Sequence, residues 1–443
     1  MPAMEKNKFL LAVIFLSGCM LCGAARAQES VLLSQARKAT QDIEAQLIGW
    51  RQYFHANPEL SNREFRTAEK IAAHLRALGL DVETGVAHTG VVALVRGRNL
   101  HPMVALRADI DALPVTEPAG LPFASQVTTT FNNQQTGVMH ACGHDTHIAI
   151  LMAAAEVLAS MRDRLSGSVL LIFQPAEEGP PEGEKGGARL MLDEGLFERY
   201  PVDVVFGLHT WSALNAGVIG YRSGPMMASY DNFKIRVQGL QAHASKPWMS
   251  IDPIVIASQI VLGIQTIASR QVNVTLAPSV ISIGSIHGGI RNNIIPDDVE
   301  MLGTIRTFDA GMRKDIQRRL VTTVENIAES AGTTATVKFH YGYPVTVNDP
   351  ELTAAMLPIL RSIAGAENVI EIDLITGAED FSYYQQEVPG FYFMLGATPA
   401  GQDASAAPTN HSPLFFVDES TLLVGLDALV GLTLNYMDSR EAD

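Results

Sequence analysis

Apolar positions along the chain fall into two textures. From Ile43 to Leu78 they recur at helical spacing, interrupted at HANPELSNREF, where Pro58 and a turn-rich stretch predict a gap between helices. Short, near-continuous apolar runs follow: VVALVRG (91–97), MVALRAD (103–109), VLLIFQPAEEG (169–179) and VDVVFGLH (202–209). They predict strands, with helical stretches between them at 147–161 (HIAILMAAAEVLASM) and 186–197. Strands apolar on both sides and alternating with helices predict an α/β sheet covered on both faces. In such sheets functional residues gather at the carboxyl ends of the strands, and these runs end in RADID, QPAEEG and GLHTW.

After SGPMMASYD the pattern changes. FKIRVQG (233–239), SVISIGSIHGG (279–289), VEMLGTIRT (299–307) and ATVKFHYGY (335–343) read as strands, with helices at 252–270 and 311–331. The order β-α-β-β-α-β is that of a ferredoxin-like α+β unit. Because 351–443 returns to helix and strand alternation, the chain reads as a larger α/β domain (28–226 and 344–443) carrying an inserted small domain (227–343). A length of 443 residues, more than one core usually serves, agrees with two domains. The insert is expected to act as a lid or to carry a homodimer contact through an exposed edge strand near 280–284.

The N-terminus changes the picture of where the chain works. Lys6 and Lys8 precede an apolar run from Phe9 that ends in Ala25-Arg26-Ala27, the layout of a cleavable signal peptide (residues 1–27). A membrane anchor, or a lipoprotein signal with Cys19 lipidated, are the alternatives weighed. The expectation is a periplasmic or secreted protein with no membrane span after cleavage. Loss of these residues, which carry a net charge of +2, takes the formal charge from −15 to −17. With no long basic cluster, nucleic acid and anionic membrane are poor partners.

Two of the three cysteines leave with the signal peptide, so Cys142 has no internal disulfide partner. It is a buried inert residue, a reactive thiol or a metal ligand. It lies in VMHACGHDTHIA, where histidine, only 12 in the whole chain, is concentrated. Cys142 and His144, two apart, point away from each other on a helix but can face one ion from a loop, and the good helix is expected to begin near Asp145. Glu177 and Glu178 follow an apolar strand. Beside a metal, one can bind the ion while the other stays free as a general base. His209 and His411 complete a set of thiolate, imidazoles and carboxylate.

Together LRADIDALP, MHACGHDTH, QPAEEG, GLH, QAHAS, GAEDFS and HSPLF resemble the M20 metallopeptidase family over about 40–435. The likeness is strongest to its amidohydrolase branch of hippurate hydrolases, N-acyl-amino-acid amidohydrolases and auxin-conjugate hydrolases. The resemblance implies two divalent metal ions held by Cys142, His144, Glu178, His209 and His411, with Glu177 as catalytic base. It implies that His243 closes over the site to stabilise the oxyanion, from the partner subunit in dimeric members. It also implies that Asn293 and Arg306 hold the free carboxylate of the substrate. Asp109 would orient a ligand histidine from behind; Asp111 and Asp145 are weaker candidates for the same task, and Glu379 and Asp380 lie near the site without a role. Sulfur and imidazole favour zinc, whereas carboxylates tolerate manganese or cobalt.

The expected activity is hydrolysis of the amide bond of N-acyl amino acids or related small conjugates. A carboxypeptidase or dipeptidase is the alternative within enzymes. A binding protein that has kept an enzyme fold is the alternative outside them, and Glu177 argues against it.

Overall fold

The structure is a computed structural model, and it describes residues 31–441. The expected signal peptide lies outside the described residues.

Eight strands form one mixed sheet in the order Asp81–Val86, Gly90–Val95, Ser168–Gln174, Met103–Asp109, Val204–Asn215, Gly390–Thr398, Ile219–Tyr221, Val369–Glu371. The four in the middle, from Ser168–Gln174 to Gly390–Thr398, are mutually parallel; antiparallel neighbours flank them on both sides. The apolar runs are buried on both faces because alternate side chains enter different cores. Val104, Leu106, Val169 and Leu171 pack with the helices His144–Ser160 and Thr421–Glu441. Met103, Ala105, Leu170 and Ile172 pack on the other side with Ala188, Met191 and Leu196. This period-2 division is why the strands read as unbroken hydrophobic segments.

Helix His144–Ser160 is apolar nearly all round and buried almost along its whole length. The stretch expected as one helix at 186–197 is two short ones, Gly187–Asp193 and Leu196–Arg199, parted at Gly195 in the left-handed region (φ +80°). The hairpin Thr128–Phe131/Gln134–Gly137 was not expected, since its residues are polar and largely exposed and give no alternating signal.

The insert builds its own antiparallel sheet in the order Ser279–His287, Asp298–Thr307, Ser229–Gln238, Ala335–Tyr341. Two helices cover one face, each started by an aspartate: Asp252 caps Pro253–Thr266 and Asp309 caps Ala310–Ser330. Phe233, Ile235, Val299, Met301, Ile260 and Ile316 form a core separate from those of the large sheet. Ser279–His287 is an edge strand, as expected for 280–284.

Candidate metal centre

The strand-to-helix loop before His144 has a steric requirement. Gly143 has φ +90°, and a Cβ there would lie 2.1 Å from Thr210 Oγ1. With glycine, the chain turns sharply, leaving Cys142 on the loop and His144 as the first helical residue rather than Asp145. The break between them lets residues two apart face one centre.

Two histidines are held with the same ring nitrogen inward. His144 Nδ1–H donates to the Asp111 carbonyl (2.8 Å), and His209 Nδ1–H donates to the Thr210 carbonyl (2.7 Å). Each therefore turns Nε2 inward, the nitrogen on which a metal would take the place of a proton. His144 Nε2 is buried without a hydrogen-bond partner, and His209 Nε2 lies 3.3 Å from Cys142 Sγ. His411, with φ +72°, is fixed by its backbone N–H on the Ala141 carbonyl (2.8 Å) and faces Glu178 Oε1 at 3.1 Å. Glu178 in turn gives its own N–H to Asp111 Oδ2 (3.0 Å).

The ligand atoms of Cys142, His144 and His209 lie within 4.8 Å of one another, as do those of Cys142, Glu178 and His411, and of His144, Glu177 and Glu178. All five expected ligands and the expected base thus meet in one place. The field there is strongly negative. Burial, with Glu178, Glu177 and Asp109 close by, pushes the Cys142 thiol well up. Burial and Glu379, Glu178 and Asp380 push the Glu177 carboxyl well up. Burial opposes charge on His144, yet Asp109, Asp111 and Glu178 hold its pKa at about 10. A divalent cation answers each of these: it makes the thiolate stable, relieves the carboxylates and replaces a proton on imidazole. The donor set fits divalent metal.

Asp109, expected to orient a ligand histidine, bonds one outside the expected ligand set. Its Oδ1 is 3.8 Å from His144 Nδ1 but accepts from His147 Nδ1 at 2.5 Å, while His147 Nε2 accepts the Thr210 N–H (2.8 Å). His147 spends both nitrogens and braces the strand that carries His209; the Asp111 carbonyl orients His144 instead. Asp145 points elsewhere, to Arg51 and His55, each at 2.9 Å. Behind Glu177 lies a network the sequence reading missed. The buried Arg107 bonds Asp109 (2.7 Å), Glu379 (2.9 Å) and Asp380 (2.8 Å). The sequence signal was there: a charged residue in the middle of the apolar strand MVALRAD. Since Tyr392 and the Phe381 N–H also bond Glu379, and Gln174 and the Ala188 N–H bond Asp380, these two acids are occupied by donors.

A cleft of about 1730 Å³ opens over the centre, and the insert supplies part of its wall, including Arg306 and Tyr230. The Arg306 guanidinium stacks on the Tyr230 ring at 4.3 Å, and its Nη1 is buried without a hydrogen-bond partner. No carboxylate pairs with it among the described residues; Asp309 instead caps its helix. His243 and Asn293 sit together, since His243 pairs with Ile294 across a two-stranded ladder and the Ala244 N–H donates to the Asn293 carbonyl (3.0 Å). Both are exposed and neither lines this cleft, so a single chain does not bring them to the metal ligands.

Comparison with known proteins agrees with this geometry. The model of peptidase family M20/M25/M40 matches residues 105–435. A thermostable carboxypeptidase of Saccharolobus solfataricus is 44% identical over 410 residues, 91% of this chain and 99% of that protein. An N-acetyl-L-cysteine deacetylase of Bacillus subtilis is 38% identical over 401 residues, 90% of each. The crystal structure of a dinuclear metal-binding peptidase of family M20 from Bacillus subtilis has a TM-score of 0.73 and 34% identity, over 90% of this chain and 99% of that one. The chain belongs to peptidase family M20/M25/M40, as a metal-dependent amidohydrolase or peptidase.

Proposed function

We propose that the protein hydrolyses the amide bond of N-acyl amino acids or related small conjugates that carry a free carboxylate. The observation that carries this reading is Arg306: a part-buried guanidinium on the cleft wall, braced by an aromatic ring and left without an acid of its own. Unpaired charge in such a place is costly unless a ligand supplies the counter-charge.

Cys142, His144, Glu178, His209 and His411 would hold two divalent ions, which when bound supply Lewis acidity toward the scissile carbonyl and the attacking water. Glu177 acts as general base. With Glu178 on the metal, its carboxylate is left free to take a proton from water and return it to the leaving amine. Arg306 fixes the substrate carboxylate, and that contact sets where the amide lies. His243 would donate to the developing oxyanion from a second subunit, and Asn293, beside it on the same ladder, would come with it to the substrate carboxylate. Exposed Trp248, Ile254, Val255, Leu262 and Val280 on the insert support such a dimer. Export is proposed on the N-terminal sequence, and cell fractionation tests it.

The test is a panel of N-acyl amino acids, their carboxamides and unblocked dipeptides, assayed after loading with Zn²⁺, Mn²⁺ or Co²⁺. N-acyl amino acids are expected to be cleaved and their carboxamides far less. Arg306→Ala should lower kcat/KM for the acids by about ten- to a hundredfold and narrow the gap to the carboxamides. Preference for dipeptides would move the assignment to a peptidase, and no turnover with any metal would favour a binding protein. Glu177→Gln should lower kcat by about a thousandfold or more with metal content unchanged.

A further inference from the structure

The segment Ala176-Glu177-Glu178 is held at three backbone points by side chains from distant parts of the chain. Glu64 Oε1 accepts the Ala176 N–H (3.0 Å), Asp111 Oδ2 accepts the Glu178 N–H (3.0 Å), and the Tyr343 hydroxyl donates to the Glu177 carbonyl (2.6 Å). Ala176 has φ +53°, the left-handed region that disfavours a residue with a side chain. It also immediately precedes Glu177.

Glu64 is the least expected of the three holds. It is fully buried at the start of helix Phe65–Ala77, and its other oxygen accepts the Thr89 hydroxyl at 2.6 Å. Among the described residues it has no ion-pair partner, and burial and the nearby Asp111 push its carboxyl up to about 8. A carboxyl group kept in so unfavourable a place is explained by what it holds.

We propose that Glu64 is a positioning residue for the reaction: through the Ala176 N–H it holds the left-handed turn that aims Glu177 at the metal centre. This rests on the reading of Glu177 as the base. Among the described residues Glu64 makes no hydrogen bond or ion pair to a metal ligand and does not line the cleft, so its effect runs through one backbone conformation.

Glu64→Leu removes the acceptor, Glu64→Gln keeps a carbonyl oxygen, and Ala176→Gly lets the turn form without help. Glu64→Leu is expected to lower kcat about tenfold, the factor that 1.4 kcal/mol represents, with KM and metal content close to the parent. Glu64→Gln should stay within about threefold of the parent. Ala176→Gly should recover about threefold or more in the leucine variant while giving no gain in the parent, the non-additivity expected of two residues sharing one contact. Unchanged kcat in Glu64→Leu overturns the proposal. So does a loss that Glu64→Gln shares and Ala176→Gly does not relieve. Should the leucine variant not fold, Glu64→Ala makes the same comparison. If Glu177→Gln keeps its activity, the base assignment falls. The clamp is then judged on melting temperatures alone, where strictly additive effects of Glu64→Leu and Ala176→Gly overturn it.

Discussion

His144 and Asp145 are neighbours in the first turn of one helix, yet they belong to buried polar clusters built on different principles. Asp145 Oδ2 meets Arg51 and His55, each at 2.9 Å, and His55 Nε2 meets Glu117 at 3.0 Å, whose other oxygen accepts the Ser125 N–H (2.7 Å). Two buried carboxylates there face two cations, with the partly exposed Glu419 also 3.3 Å from Arg51, and the cluster is balanced from within. His144 belongs to a cluster of thiol, imidazoles and carboxylates whose remaining buried cation, Arg107, is already committed to Asp109, Glu379 and Asp380. The contrast separates a polar cluster that serves the fold from one that needs a guest. A cluster of the first kind is complete on folding, whereas the second is completed by positive charge from outside.

The largest effect should come from taking that charge away. Treatment with a strong chelator is expected to lower turnover by about a thousandfold or more, with recovery on adding back a divalent ion. His209→Ala should lose metal by elemental analysis and not recover at ordinary metal concentrations. Full activity in a demonstrably metal-free sample would erase the distinction between the two clusters.

The balanced cluster should fail differently. Asp145→Ala leaves Arg51 and His55 buried with Glu117 and, at 3.3 Å, Glu419 as their remaining acids. Breaking one partner of a buried ionic group costs about 3–5 kcal/mol. Chemical denaturation should show that loss, while the folded fraction keeps its full metal content. Loss of metal in step with stability would mean that Asp145 supports the centre after all.

These differences also mark how far the sequence could be read. The strand MVALRAD was legible to the residue, because a strand buried on both faces leaves a continuous apolar run with sharp ends. The metal ligands were legible because their residue types are scarce and stand where parallel strands end. What escaped depends on contacts far apart in sequence. Asp109 could be placed at a strand end, but only the fold decides that its hydrogen bond comes from His147 and not from His144. Glu64 lies in a stretch that read as a mere break between helices, and its partner Ala176 is 112 positions away. His243 and Asn293 look like site residues by motif, yet within one chain they stand apart from the cleft.

The smallest effect is a pH dependence confined to the balanced cluster. Burial alone would lower the pKa of His55, but Asp145 and Glu117 outweigh it and raise the value from 6.5 to about 9. A histidine whose folded pKa lies above its unfolded one binds its proton more tightly when folded. Its stabilisation is therefore complete below about pH 6.5 and lost as pH rises through about 9. One pKa unit corresponds to about 1.4 kcal/mol, so protonation of His55 contributes at most about 3–4 kcal/mol, less whatever solvent and relaxation screen. Unfolding free energies of the parent and of His55→Gln, measured at equal metal loading from pH 6 to 10, isolate this group because titrations at the metal centre are common to both. The parent should lose its advantage over the variant across pH 6.5–9, and a difference constant over that range would show that His55 is neutral in the folded protein.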